Sequence, residues 1–413
     1  MIILEVIYNT IMIIFKIFTI YFSIIVILGY IKGIIDKKKI QNKDKKIKIE
    51  QLKYAVLVPA RNEEKCISNI ITSIKNQDYP SELIDLYILP NNCTDNTKEV
   101  SEKLGAYTLD IPKEVKNKAG ALSYAVDELI DKDYDAFIVF DSDNKASKNF
   151  ITEFNKEFNK GANIVKSKIF AQKNDESIIA CLYDIHFSFA NCFINRPRNN
   201  LGMSVRIVGT GFGVSNKFLK QEGGFNVETI TEDVEFYVLY TLKGEKAVFA
   251  EKAVTYDEQP TKFSTTLIQR KRWVSGIMQV FIFKLKDILK GIFKFNINAV
   301  DIFMQLGFTY LQAFLPFLLI FACVLYKQAY IEDFLSLILT GYVSAGLIGI
   351  LVLIIEKRIA LKKNIILGII IYPIFVVTFI PLQTISLFKK TKVWREIEHK
   401  GEEECGKSYS SIK

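Results

Sequence analysis

The chain has 413 residues, 50% of them hydrophobic and 24% charged, with a formal net charge of +9. That is too apolar for a disordered protein and long enough for about two or three structural units. Six cysteines (Cys66, Cys93, Cys181, Cys192, Cys323, Cys405) show no Cys-x-x-Cys spacing, and His186 and His399 are the only histidines, so free thiols are expected rather than a disulfide frame or a zinc centre.

Tyr8–Ile31 is almost wholly apolar apart from Lys16. It lacks the shorter apolar centre, basic start and cleavage site of a signal peptide, so residues 1–35 read as an uncleaved transmembrane anchor. The lysine-rich run "DKKKIQNKDKKIK" at 36–48 follows directly. Excess lysine beside a span marks the cytoplasmic side, which places the next region there.

Residues 50–275 have ordinary globular composition, and strand and helix patterns alternate from their start. "YAVLV" (54–58) reads as a strand and "EKCISNIITSIKN" (64–76) as an amphipathic helix; "LIDLYIL" (83–89) is a second strand. Thr94 or Asp95 is a natural N-cap for a helix running to Leu104. "AYTL" (106–109), the helix 119–130 and the strand "AFIVF" (136–140) complete the series. Such alternation implies a mainly parallel sheet with helices on both faces, an α/β, Rossmann-like domain. No Gly-x-Gly-x-x-Gly follows the first strand and no Gly-x-x-x-x-Gly-Lys occurs, which takes from the dinucleotide and P-loop readings their best evidence.

Residues 276–294 place Ile277, Phe281, Leu285, Ile288, Leu289 and Ile292 on one helical face and Lys284, Asp287 and Lys294 opposite, the pattern of a helix lying in the membrane interface. Further transmembrane helices fill 296–390: Asn298–Tyr326, Phe334–Ile355 and Ile365–Phe388. A basic tail, 391–413, closes the chain. Four complete spans would leave the tail outside, whereas its charge favours the inside; Pro373 and Pro381 therefore suggest a broken last segment.

Parallel sheets bind ligands at the carboxyl ends of their strands. There stand "PARNEE" after the first strand, "PNNCTDNT" after the second, and Asp141 and Asp143 after the fourth. Two carboxylates so close suit a hard divalent ion, Mg²⁺ or Mn²⁺, although aspartate also simply favours turns. Lys118, opening a helix in "NKAGAL", is suited to phosphate or is a plain surface lysine.

The ordered set "PARNEE … NNCTDNT … NKAGAL … DSD … GTGFG … TED … QRKRW" resembles the membrane-bound family 2 glycosyltransferases, the group that includes hyaluronan, cellulose and poly-N-acetylglucosamine synthases. The resemblance implies a Rossmann-like GT-A domain plus transmembrane helices. It makes Ala60, Arg61 and Glu63 donor contacts, and sets Asp95 near the uridine and Lys118 at the diphosphate. Asp141 and Asp143 become the metal-binding pair, and Gly209, Thr210 and Gly211 the acceptor-side loop. Glu232 and Asp233 are the catalytic acids, with Asp233 the general base; Gln269, Arg272 and Trp273 close over the diphosphate and the acceptor sugar. Asn91 stands where relatives often carry an acid, and its amide can still accept from a uracil N–H. "WREIEHK" (394–400) resembles a tail motif of some relatives but is given no catalytic role.

The function implied is an inverting transfer from a nucleotide sugar, UDP-linked by preference, to a polysaccharide or lipid-linked acceptor at the cytoplasmic face of the cell membrane. Nucleic acid is not an expected partner. The alternatives are a non-processive glycolipid-forming transferase, a sugar-1-phosphate nucleotidyltransferase, and a non-catalytic membrane subunit.

Overall fold

The structure, a computed structural model, describes residues 2–40, 49–227, 229, 231–318 and 331–389. It divides into two compact units. The helical unit takes the described residues of 2–34, 173–201 and 261–389, and the sheet unit those of 35–172 and 202–260. Within the expected catalytic domain at 50–275, residues 173–201 and 261–275 cluster with the helical unit. The basic tail and the end of the expected span at 298–326 lie outside the described residues.

Helix α1 (Ile2–Ile40) opens the chain. The sheet unit then runs β1 (Tyr54–Ala60), α2 (Ile67–Lys75), β2 (Ile84–Pro90), α3 (Thr97–Lys103), β3 (Tyr107–Thr108), α4 (Lys118–Leu129), β4 (Ala136–Val139), β5 (Lys145–Ala146), α5 (Phe150–Asn159) and β6 (Ile164–Ala171). Helix α2 starts later than its apolar pattern, since the Glu63 carbonyl accepts from both Cys66 N and Ile67 N and turns the chain first. Helix α3 is capped at Asn96 rather than at Thr94 or Asp95. Asp95 still serves it from one residue earlier, with Oδ1 accepting from Thr97 N at 3.1 Å.

After α6 (Ile178–Phe189), a π-helical stretch (Ala190–Asn195) and α7 (Arg196–Leu201), all in the helical unit, the sheet unit resumes. It continues with β7 (Phe212–Ser215), α8 (Asn216–Glu222), α9 (Glu232–Leu242) and β8 (Ala247–Asp257).

The eight strands order as β3-β2-β1-β4-β7-β6-β8-β5. The half built from β3, β2, β1 and β4 is parallel, as alternation requires. The other half is mixed, so the sheet is mainly but not wholly parallel: β6 pairs parallel with β8, while β7 runs antiparallel to both β4 and β6, and β5 antiparallel to β8. This reversal positions the site. An antiparallel strand begins where its parallel neighbours end, so the segment entering β7 at Phe212, opposite Val139, starts at the carboxyl edge of β4. The core beneath joins β1, β2 and β4 to α2 and α5 through Val56, Val58, Ile70, Ile88, Ile138 and Phe154, all buried. Each such side chain contributes about 1.5–3 kcal/mol.

In the helical unit, α10 (Phe263–Phe293) is one continuous helix. The separate interface helix expected at 276–294 is its second half, because no glycine-turn or proline interrupts the run after Trp273. Ile288 and Phe281 are buried while Leu289 is exposed, so the expected apolar face is only partly covered. Then come α11 (Ile297–Ala313), α12 (Ile331–Ile355), α13 (Lys363–Val377) and α14 (Phe379–Phe388). Among the described residues three helices are long and apolar enough to cross a membrane: Glu5–Lys37, Ile178–Leu201 and Lys363–Phe388. The second was not anticipated, because Asp184, Arg196 and Arg198 interrupt its apolar run. The structure satisfies these charges in pairs: Asp184 with Arg358 (2.9 Å), Arg196 with Glu356 (2.6 Å) and Arg198 with Asp301 (2.8 Å).

The last apolar segment is not broken as expected: Thr378, between α13 and α14, keeps helical angles (φ −66°, ψ −11°), Pro373 lies inside α13, and Lys363–Phe388 counts as one helix long enough to cross a membrane. Pro381 falls in the first turn of α14, where its missing N–H costs nothing. Thr378 Oγ1 donates to Phe375 O at 2.6 Å and accepts from Arg270 Nη1 at 2.7 Å, so side chains brace this junction.

Candidate active site

Two loops leave the carboxyl ends of β1 and β2 and are tied together. Asp95 does much of this: Oδ2 accepts from Glu64 N (3.0 Å), and Oδ1 accepts from Thr97 N and Thr97 Oγ1. Glu63 N donates to Thr97 Oγ1 (2.8 Å), and Asn62, in the left-handed region at φ 58°, accepts from Thr94 N through Oδ1. Ala60 is buried, with its carbonyl accepting from Asn91 N, and Arg61 is half-buried beside it. Buried Asn91 donates to Asn117 O and accepts from Asn92 Nδ2, while Asn92 also donates to Val115 O (2.9 Å). These amides join the β2 loop to the start of α4, whose N-cap Asn117 accepts from Gly120 N. Sequence reading assigned nothing to Asn62, Asn92 or Asn117; the runs "RNE", "NNC" and "KNK" were the available signal, asparagine being the residue that tolerates left-handed backbone and caps helices.

A second set gathers at the edge of β4 and β7. Lys118 begins α4, as expected, and its Nζ is 2.6 Å from Asp141 Oδ1 and 3.3 Å from Glu232 Oε1, and donates to Gly209 O. Burial alone would lower the Lys118 pKa, yet the adjoining Asp141 and Glu232 carboxylates hold it above the usual value. Glu232 and Asp233 form the first turn of α9. Burial raises the Glu232 pKa, Lys118 opposes this, and Asp233 and Asp141 add to it. Asp233 Oδ2 accepts from Gly209 N at 2.5 Å. Thr210 Oγ1 accepts from Asp141 N (3.0 Å) and donates to Asn144 Oδ1. Thus Lys118, Asp141, Gly209, Thr210, Glu232 and Asp233 form one bonded cluster.

Gly209 and Gly211 have separate reasons to be glycine. Gly211 has φ +61°, and a Cβ on it would collide with Ser167 Oγ and Thr255 Oγ1. A Cβ on Gly209 would lie 3.4 Å from Asp141 Oδ2 and 3.9 Å from Asp233 Oδ2, filling the space between the two carboxylates.

Asp143 lies one residue beyond this cluster, buried, with Oδ1 accepting from Asn144 Nδ2 (3.0 Å); the same amide nitrogen donates to Asp257 Oδ1 (2.8 Å). Burial, then Asp257, Asp141, Glu63 and Glu258, push its carboxyl pKa well above the ordinary range. Among the described residues no group of three or more His, Cys, Asp and Glu side chains is placed to hold a metal. The donor set nevertheless fits a hard divalent cation. Asp143 is buried with other acids near it, and such ions commonly use one or two carboxylates with phosphate oxygens and water completing the shell.

Gln269, Arg272 and Trp273 belong to α10 of the helical unit. Gln269 is buried and accepts from Tyr183 OH (2.8 Å), and Trp273 packs edge-on against the Tyr183 ring at 5.9 Å.

A model of the glycosyltransferase-like family 2 matches residues 51–276, more than half of the chain. The chain belongs to this family. The match takes in every loop just described, and a chitin synthase model matches 229–402. Family 2 membership agrees with its relatives. A probable glycosyltransferase, YdaM, of Bacillus subtilis is 24% identical over 59% of this chain and 61% of its own length. A beta-monoglucosyldiacylglycerol synthase of Nostoc is 26% identical over 57% of this chain and 51% of its own. The chain thus matches about half to three-fifths of these relatives' lengths. The solved structure of a mannosyltransferase from Pyrobaculum calidifontis, in complex with GDP-Man and Mn²⁺, superposes with a TM-score of 0.56 at 14% identity, covering 91% of this chain and 99% of that one. The fold of this family 2 member is accordingly that of the GT-A glycosyltransferases, with apolar helices added.

Proposed function

We propose that this protein is a membrane-bound, inverting glycosyltransferase that moves a sugar from a nucleotide sugar, UDP-linked by preference, to a lipid acceptor at the cytoplasmic face. The observation that carries this reading is the single cluster in which Lys118, Asp141, Glu232 and Asp233 meet at the Gly209 turn. Family membership and the glycolipid-forming relatives support it. The apolar helices and the lysine-rich run at 36–48 support its place at a membrane. The chitin synthase match favours a second reading, repeated transfer onto a polysaccharide.

In the proposed reaction Asp233 takes the proton of the acceptor hydroxyl as that oxygen bonds to the anomeric carbon, and the bond from that carbon to the diphosphate breaks. The Gly209 amide orients the Asp233 carboxylate. Lys118 meets the departing diphosphate, exchanging Asp141 and Glu232 for phosphate oxygens. Ala60, Arg61, Glu63, Asn91 and Asp95 frame the nucleotide. A divalent Mg²⁺ or Mn²⁺, held by Asp143 with Asp141 beside it, would supply positive charge to the diphosphate. The roles of Gln269, Arg272 and Trp273 rest on motif resemblance alone.

The test is to incubate the full chain in lipid nanodiscs containing diacylglycerol with UDP-glucose, UDP-galactose, UDP-N-acetylglucosamine and GDP-mannose in turn. Nucleoside diphosphate release is measured and lipid products are weighed by mass spectrometry. Release from one donor with one added hexose on lipid is expected. No release from any of them would overturn the proposal, and a long saccharide would select the second reading.

A further inference from the structure

Lys166 is the third residue of β6, opposite Phe212 of β7, and is 1% exposed. A lysine inside a sheet is costly to bury, and an aliphatic residue would suit the strand better. Among the described residues no carboxylate lies within ion-pair distance of its ammonium. Its partners are backbone: Nζ donates to Thr210 O at 2.7 Å and Gly211 O at 3.2 Å, with Ser167 Oγ further off at 3.5 Å.

Those carbonyls belong to the turn that bears the cluster. Thr210 N donates to Val208 O at 2.6 Å, closing a three-residue turn at Gly209, and Gly211 follows in the left-handed region. Gly211 N then donates to Val139 O and Ser167 N to Gly211 O, which starts the β7 pairing. Two successive carbonyl oxygens converge on one point, an arrangement that repels itself unless a cation or strong donor stands there. From the far side of the same turn, Gly209 N reaches Asp233, Gly209 O reaches Lys118, and Thr210 Oγ1 receives Asp141 N. A turn pinned from beneath keeps all three contacts in register.

We infer that Lys166 is a positioning residue whose buried ammonium gathers the Thr210 and Gly211 carbonyls and so presents the Gly209 amide to the Asp233 carboxylate. Its consequence for catalysis rests on the reading of Asp233 as the base; its consequence for the turn does not.

The experiment compares the full chain with Lys166→Met, which keeps length and loses donors, and Lys166→Gln, a shorter donor for use if the first fails to fold. Backbone hydrogen exchange is read at residues 207–213 and, as control, along β1 and β4. Steady-state kinetics are read with the donor found for the unaltered protein. Exchange at Gly209 and Gly211 should quicken about tenfold with the control strands exchanging no faster than before, while kcat falls about 10- to 100-fold and donor KM stays within about threefold. Unchanged exchange at the turn, faster exchange throughout the sheet, or a quickened turn with unaltered kcat would each overturn the inference. If the unaltered protein transfers no sugar, the proposed function fails, and the exchange data still decide the role of Lys166 in the turn.

Discussion

Asp233→Asn separates catalysis from architecture at the cluster. The asparagine is isosteric, and its carbonyl oxygen can still accept the Gly209 N–H that Asp233 Oδ2 now takes at 2.5 Å. What the fold loses is the charge assistance of one hydrogen bond, about 1 kcal/mol, partly offset by relief of repulsion from Glu232. For a unit of this size that moves Tm by no more than about 2–4 °C. What the reaction loses is the base, worth about 10²- to 10⁴-fold, or about 3–5 kcal/mol in the barrier. The assay measures nucleotide binding by calorimetry, Tm by differential scanning fluorimetry and transfer by nucleoside diphosphate release, all on one preparation. Binding within threefold of the unaltered protein, a small Tm change and a loss of at least about a hundredfold in kcat are expected. A variant that keeps more than about a tenth of kcat would refute the assignment of Asp233 as the base.

Asp143→Asn tests the metal reading without reference to turnover. Because the Asp143 carboxyl is pushed up in the fold, it withdraws stability as pH rises above the unfolded value, so the metal-free variant should be at least as stable as the unaltered protein at pH 7. Mn²⁺ at about 100 times its Kd should stabilise the unaltered protein by about 2.7 kcal/mol and the variant by far less; equal thermal shifts would argue against Asp143 as a ligand. Lys166 gives the opposite pH sign. Burial lowers its pKa from 10.5 to about 7, against Asp233, Asp141 and Asp257, so between these values the unfolded chain binds the extra proton and stability rises with pH. Lys166→Met should therefore stabilise the fold most at or below pH 7, with the gain shrinking toward pH 10 in chemical denaturation; a pH-independent difference would contradict it. Gly211→Ala should cost about 2 kcal/mol or more, from the positive φ and the clash with Ser167 and Thr255, and a neutral melting curve would show that the turn relaxes freely.

The sequence by itself determined the elements whose signals are local. The strands read at 54–58 and 83–89 and the helix read at 119–130 come from runs and caps a few residues long and match β1, β2 and α4 to within about two residues, and the motifs "DSD", "GTGFG" and "TED" are continuous. Tertiary structure decided what depends on closure of the chain. That β7 returns antiparallel to β4, carrying Gly209 to the carboxyl edge, is a choice among pairings that no local pattern encodes. Lys118 reads as a phosphate lysine in its own segment, but its ammonium meets Asp141 and Glu232, 23 and 114 residues further on by chain numbering. Lys166 looks like any lysine in "IVKSKI" until β6 is sealed between β7 and β8; then burial, and the two carbonyls of a turn more than 40 residues away, give it a task. The helix 178–201 hid for the same reason: its charges lower its apparent hydropathy, and only the fold supplies the arginines and carboxylates that neutralise them. Local sequence fixes backbone preference cheaply, whereas the cost of a buried charge is set by whichever groups the rest of the chain brings to it.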